Sequence, residues 1–563
     1  MTERAAPPSK GTTRRTVLKA AAGVGAVAVA SPLLTAGPAS AASLVHPGML
    51  HTQADFDRMA TKVRAAAQPW QDDWAVLIAN SHSQPTYTAN PQSVVYRGDG
   101  SVENYPVLYN DVAAAYQNAL RWKIQGAAEH GNAARNILNA WSSTLTEISG
   151  SADRFLAAGI YGYELANAAE IMRGYSGFDL TAAQNLMRNA FYPLSNDFLV
   201  NHNGAYDTNY WANWDLCNIA CVLATGILCD DQTKIDQAIT YFKTGVGMGS
   251  IENAIPYLYD DQGLAQWVET ARDQGHTMLG IGLMATICEM AWHQGYDLYG
   301  YDSNRFMKAC EYVARYNLGE DVPFTSWTWH YGAPGVWEGW QTFTEPSTAS
   351  RGQIRPIWAQ IYNHYAVRKG LFVPNMAAFA KIVEPEGGGG DYGTTSGGYD
   401  HLGLTQLTST EQTRTTLPTG VTRSLQSVNY PTYYATYGSD NLGVLTQVTS
   451  SSSATQKTEA SFTIVAGLAD SKGYSFRSSD GRYLRHYAFR IELDTSDGTD
   501  AFNADATFYA LAGSTSGSVR LVSHNYPGRC VRHRSYQLWV DTYDLVTGSF
   551  PADSSFVPVT SWA

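Results

Sequence analysis

At 563 residues the chain is too long for one ordinary core, so more than one domain is expected. Charged residues make up only 16% against 44% apolar ones, alongside 50 Gly, 35 Tyr and 15 Trp. The formal charge of -12 argues against a nucleic-acid partner, which demands a basic footprint. It leaves an anionic ligand only a local cationic pocket.

In chain order, Arg14-Arg15, the apolar run Val17 to Leu34 and the small residues Ala39-Ser40-Ala41 have the arrangement of a twin-arginine export signal over residues 1–41. The expected product is secreted. No later stretch reaches the roughly 20 apolar residues of a membrane span, so no membrane partner is expected. Six cysteines in a chain of this length do not make a disulfide scaffold, and a Cys217–Cys221 pair has little to support it.

Residues 47 to about 400 carry helical periodicity. Helices are predicted over Phe56–Ile78, Val112–Ala128, Ala133–Thr144, Ser151–Ile171, Ala182–Leu194, Trp214–Leu228, Asp231–Phe242, Met278–Gly295 and Asn304–Tyr316. Paired helices stacked side by side, or wound into a toroid, account for this alternation with long loops better than one compact bundle. The unusual chemistry sits in three loops: NHNGAYDTNYWANW at 201–214, TSWTWHYGAPGVWEGW at 325–340 and EPEGGGGDYGTTSGGYDHLG at 384–403.

Between Leu404 and Val421 the composition turns to Thr, Ser and other polar residues, and strand-like alternation follows. That region repeats itself. Units begin at Leu425-Gln426-Ser427, Phe476-Arg477-Ser478 and Leu521-Val522-Ser523, and end at Glu459 to Phe462, Asp505 to Phe508 and Asp553 to Phe556. Starts are separated by 51 and 45 residues and ends by 46 and 48. A β-sandwich leaves this triplication unexplained, and a trefoil is the leading expectation.

No metal or cofactor is expected, because the 13 histidines are scattered and no HExxH or paired CxxC occurs. Gly387 to Gly390 lacks the Lys-Ser/Thr of a phosphate loop and reads as a cover over a ligand or as a passive linker. Glu269, Arg272 and His276 fall three and four apart, so a helix through them presents one polar face. With Asn209, Tyr210, Trp211, Asn213 and Trp214, and with Trp327, Trp329, His330 and Tyr331, they form the candidate site. Arg and Asn grip a carboxylate, His and Tyr move protons, and tryptophans pack on sugar faces. That inventory suits removal of a proton beside a carboxylate, with donors neutralising the enolate charge as it develops. A glycosidase recruiting two of Glu269, Asp297, Glu338 or Glu345 is the alternative enzyme. A non-catalytic carbohydrate-binding protein is the third reading.

Four runs add a family resemblance: YWANWDLCNIACVLATGILCDD at 210–231, RDQGHTMLGIG at 272–282, DLYGYDSNRFMKACEYVARYNLG at 297–319 and RPIWAQIYNHYAVRKG at 355–370. On these, residues 45–400 resemble the alginate-lyase-like polysaccharide lyases. The resemblance implies an incomplete (α/α) toroid and metal-independent β-elimination on a uronic-acid-containing polysaccharide. The family has an Asn-His pair where this chain has Asp207-Thr208, which leaves the Asn role to Asn209 or Asn213. It has a Tyr where this chain has Gly275, which leaves the base open among His276, Tyr210 and Tyr331. The assignment adopted is Asn209, Asn213 and Arg272 on the carboxylate, His276 as base, and Tyr331 as acid with Tyr210 its alternate. Glu269 orients Arg272 or His276. Trp211, Trp214, Glu269, Trp327, Trp329, His330 and His364 make up the substrate-binding set.

SFRSSDGRYLRHYAFRIELD at 475–494 and NYPGRCVRHRSYQLWVD at 525–541 make residues 422–560 similar to the arabinofuranose-binding β-trefoil found beside arabinofuranosidase B enzymes. The similarity implies sugar pockets at His486 with Asp505 and at His533 with Asp553, with arabinose-bearing polysaccharide as partner. The first unit has Ala435-Thr436 in the matching place, so its pocket is expected to be dead. The expected architecture is therefore multidomain: an export signal at 1–41, an all-α incomplete toroid over 42–404, a linker at 405–421 and an all-β trefoil over 422–563.

Overall fold

The computed structural model describes residues 44–98, 100, 102–526, 528–542 and 548–563, so the expected export signal lies outside the described residues. The first part of the described chain is helical. The helices predicted over Val112–Ala128 and Ala133–Thr144 are Tyr105–Gln125 and Ala128–Thr144, packed as an antiparallel pair and joined through Gly126, whose left-handed φ of 75° ends the first. Asp153–Ile171, Ala212–Leu228 and Gln274–His293 are buried along almost their whole length. They are the innermost helices, and their near-continuous apolar sequences are the reason. Close approach depends on small residues: a Cβ at Gly162 would stand 2.6 Å from the Cys221 sulfur. All six cysteines are free and buried, so Cys217 and Cys221 are packing residues and not a disulfide.

Three helix predictions need correction. Phe56–Ile78 is two helices, Gln53–Arg64 and Trp70–Ala79, because Ala66 is left-handed and Pro69 cannot continue the first. Ala182–Leu194 is broken by a π-helical turn at Met187–Phe191, and Pro193 then sits in the first turn of Tyr192–Asn201. Glu269, Arg272 and His276 do not share a helix. Glu269 lies on the 3-10 turn Val268–Ala271, and Asp273 caps a new helix by accepting the His276 backbone N–H at 2.8 Å.

The rest is all β apart from short helices, and its repeat is structural as well as sequential. Each unit has four strands, with a short helix before the fourth. The second and third strands of each unit pair as hairpins: Tyr433–Tyr437 with Gly443–Gln447, Tyr483–Tyr487 with Arg490–Asp494, and Arg529–Arg534 with Gln537–Thr542. The fourth strand of each unit pairs with the first of the next. Phe462–Ala466 pairs with Tyr474–Arg477 and Phe508–Ala512 with Val519–Ser523. Phe556–Thr560 returns to Val421–Ser427 and closes the ring. Phe462, Phe508 and Phe556 fill its core from equivalent positions. The expected linker is held in place: Thr405–Ser409 is a buried helical turn, Arg414 pairs with Glu384, and the Thr415 N–H reaches the Ala510 carbonyl at 2.7 Å.

Two carboxyls inside the helical region carry a pH consequence. Glu386 accepts the Thr405 N–H at 2.6 Å, and Glu311 accepts the Met376 N–H at 2.9 Å. Burial pushes each up to about 7 from an ordinary 4.5. The unfolded chain releases these protons near the ordinary value, while the folded chain keeps them to about 7. Their stabilising protonation is complete below the unfolded value and is lost as pH rises through the folded one. Glu386→Gln is therefore expected to flatten the decline of Tm between about pH 4.5 and 7. Thermal melts of both proteins across that window check it, and parallel curves would exclude Glu386 as a contributor.

Candidate active site

The helix Ala212–Leu228 delivers Asn213 and Trp214 to the point where the 3-10 turn and the helix Gln274–His293 deliver Arg272 and His276. These four line a cavity of about 290 Å³. Arg97, Arg355, Asp153, Asp400, Ser396 and Gly397 complete much of its wall. Three guanidinium groups thus meet in a protein of net charge -12. Asp400 pairs with Arg355 at 2.7 Å, and Arg97 donates to the Tyr161 hydroxyl at 3.1 Å. Arg272 Nη1 and Arg355 Nε are buried with no hydrogen-bond partner among the described residues.

The His276 ring is half-exposed, with its hydrogen bonds arranged in one way only. Its Nδ1 lies 2.7 Å from Asp273 Oδ2, and its Nε2 lies 3.1 Å from Arg272 Nη2. A carboxylate only accepts and a guanidinium only donates, so the ring is neutral, protonated on Nδ1, with its lone pair on Nε2. Burial pushes the Asp273 carboxyl up, but the ring and backbone N–H of His276 outweigh it and hold it below its usual value. Asp273 therefore caps the helix and fixes the imidazole tautomer together.

Glu269 is fully buried and accepts from the side-chain amide of Asn213 at 2.6 Å. Burial raises its carboxyl more than the positive charge of Arg272 lowers it. Its contact orients Asn213 directly, rather than Arg272 or His276. A Cβ at Gly280 would sit 2.6 Å from Glu269 Oε2, so that glycine makes room for the carboxyl. Behind the loop, His202 bonds Asp215 at 3.1 Å and Tyr241 at 3.0 Å, tying the start of 201–214 to the helix that carries Asn213.

The remaining predicted residues go elsewhere. Asn209 accepts the Gly332 N–H at 2.7 Å and is spent on holding the hairpin Trp327–Ala333/Trp337–Phe343. Tyr331 lies on that hairpin against Trp329, and Trp329 and Trp211 stand between it and Arg272. Tyr210 packs on Trp214 at 4.6 Å, which places it one residue from the cavity wall, and its hydroxyl accepts from Asn203 at 2.9 Å. Trp327 and Trp329 pack against Trp211, and His330 lies on the opposite face of the hairpin. His364 must leave the substrate-binding set. It is fully buried, stacked on Tyr299 at 3.7 Å, and burial lowers it to about 3. Gly387 to Gly389 are buried, and the Gly389 carbonyl takes hydrogen bonds from Asn80 and Gln117. The glycine tract is a packed turn, not a cover; it is Ser396, Gly397 and Asp400, further along the same loop, that reach the cavity.

For the glycosidase alternative, Asp297 is engaged by Lys369 at 2.8 Å. Glu338 lies on the hairpin, and Glu345 lines a different cavity. Of these four, only Glu269 stands beside Arg272 and His276. Arg97, Arg355, Asp273 and Asp400 were not assigned from sequence. Arg355 opens the run at 355–370, Asp400 lies in the glycine-rich loop and Asp273 borders the polar cluster, so each had a signal. Arg97, in the strand Val94–Arg97, had none.

In the β domain, His486 and Asp505 stand 3.5 Å apart, as do His533 and Asp553. Each pair is completed by the following unit, with the third followed by the first. His486 Nε2 meets Asn525 Oδ1 at 2.9 Å, and Asn525 donates to Asp505 at 2.7 Å. His533 meets Asn429 at 2.8 Å, and Asn429 donates to Asp553 at 2.6 Å. Burial lowers both imidazoles, and each donates through Nε2, because the asparagine oxygen it meets can only accept. Both histidines are nearly inaccessible and support the Asn–Asp pair from beneath, with Tyr526 and Tyr430 at the sides. In the first unit Thr436 bonds Thr446 at 2.7 Å, and the His–Asn–Asp chain is absent.

Comparison with known proteins divides the chain in the same way. The family described as Alginate lyase matches residues 61–323, and the Alpha-L-arabinofuranosidase B (ABFB) domain matches residues 423–558. An "Arabinofuranosidase/B-xylosidase" of Trichoderma koningii is 42% identical over 122 residues, covering 20% of this chain and 24% of the relative. A "Probable alpha-L-arabinofuranosidase B" of Aspergillus terreus is 44% identical over 129 residues, covering 21% and 25%. The chain thus spans about a quarter of the length of the curated relatives it matches. Among solved structures, an alginate lyase from Bacteroides ovatus is 13% identical with a TM-score of 0.40, covering 65% of this chain and 100% of that one. The chain carries an alginate lyase family domain at residues 61–323, followed by an arabinofuranosidase B domain at 423–558.

Proposed function

We propose that the chain is an exported polysaccharide lyase that cleaves a uronic-acid-containing polysaccharide by β-elimination and is tethered to arabinose-bearing polysaccharide by its β domain. The observation that carries this is the cavity in which Arg97, Arg272 and Arg355 surround Asn213 and an Asp273-oriented imidazole. The guanidinium of Arg272 and the amide of Asn213 take the uronate carboxylate. Arg272 then leaves His276 Nε2, and the freed lone pair removes the proton on the carbon beside the carboxylate. The electron pair of that C–H bond moves first into the carboxylate-stabilised enolate and then into a new C=C bond. The bond from C4 to its glycosidic oxygen breaks, and that oxygen takes the departing pair and a proton from a tyrosine. Tyr210 is preferred over Tyr331 for this step because its ring lies against the cavity wall. Donors aimed at developing charge contribute most of the rate in such reactions.

In this reading residues 42–404 form an incomplete (α/α) toroid and residues 422–563 a trefoil, joined through 405–421. The paired helices and the closed threefold strand pairing support it. Export by the twin-arginine route rests on Arg14-Arg15 and the processing residues that follow. A panel of uronate polymers tests the reaction class. Elimination is expected to raise short-wavelength ultraviolet absorbance, because it leaves an unsaturated uronyl end whose C=C is conjugated with the carboxylate. New reducing ends without that absorbance would establish hydrolysis, and no change in either would leave a binding protein.

A further inference from the structure

We propose that the tip of the hairpin Trp327–Ala333/Trp337–Phe343 is a distal polysaccharide platform, in which Trp337 and Trp340 hold sugar faces beyond the unit bound in the arginine cavity. Trp337 is 54% exposed, Trp340 65% and the neighbouring Val336 79%. Large rings left this open on a projecting hairpin are a binding feature to be explained. The register puts them on opposite faces. Tyr331 pairs with Gly339 and Ala333 with Trp337 on one face, and His330 pairs with Trp340 on the other.

On the first face an aromatic row runs outward from the cavity. The Arg272 guanidinium lies 5.6 Å from the Trp211 ring, Trp211 4.8 Å from Trp329, Trp329 4.6 Å from Tyr331, and Tyr331 5.9 Å from Trp337. Gly339 lets Tyr331 lie across the hairpin, since a Cβ there would collide with the ring. On the second face Trp340 lies flat on His330, at 3.9 Å and 9°, and His330 packs against Tyr206 at 4.2 Å. Tyr206 donates to Glu338 at 3.0 Å. One side of the Trp340 ring is thus fixed by its neighbours while the ring stays largely open to solvent, an ordering cost met before any ligand arrives.

The chemistry of the occupant follows from the surroundings. The rings are interrupted by Glu338, Gln341, Thr328 and Thr342, so the tip offers aromatic faces edged with hydrogen-bonding groups rather than a continuous apolar patch. That combination matches the flat CH face and hydroxyl rim of a sugar. The row's continuity with Arg272 names the sugar chain as the one entering the cavity, and to that extent the inference rests on the proposed function.

The test uses the full chain carrying Trp337→Ala and Trp340→Ala, and a long uronate polymer that bears no arabinose. The KM for that polymer is expected to rise about tenfold, equivalent to about 1.4 kcal/mol. The kcat and the rate on short oligosaccharides of the same polymer should stay unchanged. Unchanged KM on the polymer would overturn the platform, and an equal loss on short and long substrates would place the tryptophans in the reacting site instead. Should no polymer undergo elimination, retention in affinity gels decides separately. Retention that depends on the two tryptophans upholds the platform while the lyase reading falls, and retention that ignores them removes the platform.

Discussion

His276→Ala is expected to lower turnover in the proposed elimination by about 10²–10⁴-fold, the range of a positioned general base, while its melt stays within a few degrees of the parent. The two halves of this expectation have different causes. Turnover falls because the Nε2 lone pair is held in one tautomer by Asp273 and has no substitute in alanine. Folding survives because the helix cap uses the backbone N–H of residue 276, which alanine keeps. The ring itself is 42% exposed, so its removal opens no core cavity. Turnover and a circular dichroism melt of the same preparation check both halves. A folded variant keeping more than about a tenth of its activity would remove His276 as base and pass that role to Tyr210.

His486→Ala with His533→Ala is expected to abolish retention on arabinan or arabinoxylan. Each imidazole donates to an asparagine that in turn holds an aspartate, so removing it leaves buried acceptors unsupported in both pockets at once. Pockets of this kind bind weakly alone, and two on one polymer gain through effective concentration. The single variants should therefore each lose most of the retention, and the pair all of it. Affinity electrophoresis of the four proteins measures this, with a circular dichroism melt of each as the control for folding. Undiminished retention by the double variant would show that the sugar sits elsewhere on the β domain.

The polar cluster at 269–276 was found through a helical spacing that does not exist in the fold. The intervals were right, but Asp273 ends one turn and begins another. The site came together nonetheless, because the turn and the helix share one edge of the cavity. His364 failed for the opposite reason: a histidine in a family-like run gives no sign of burial, and Tyr299 and Trp292 cover it from elsewhere in the chain. The tetraglycine misled in the same way. Glycines that permit motion also permit packing, and here Ala113, Tyr399 and His82 lie against them.

What the sequence by itself determined is what depends on local periodicity and on repetition: the succession of helices, the change to strands after Leu404, and the three β units, the first with Thr436 where the others have His486 and His533. Those signals survive in one dimension because each residue's neighbours along the chain set the period. Tertiary structure alone decided that Arg97 and Arg355, 258 residues apart, meet at Arg272. It also decided that each His–Asp pair borrows its Asn and Tyr from the next unit around the ring. No spacing rule reaches across such distances. The charge of a pocket and the burial of an imidazole are properties of surfaces brought together by packing, and they exist only once the chain has closed on itself.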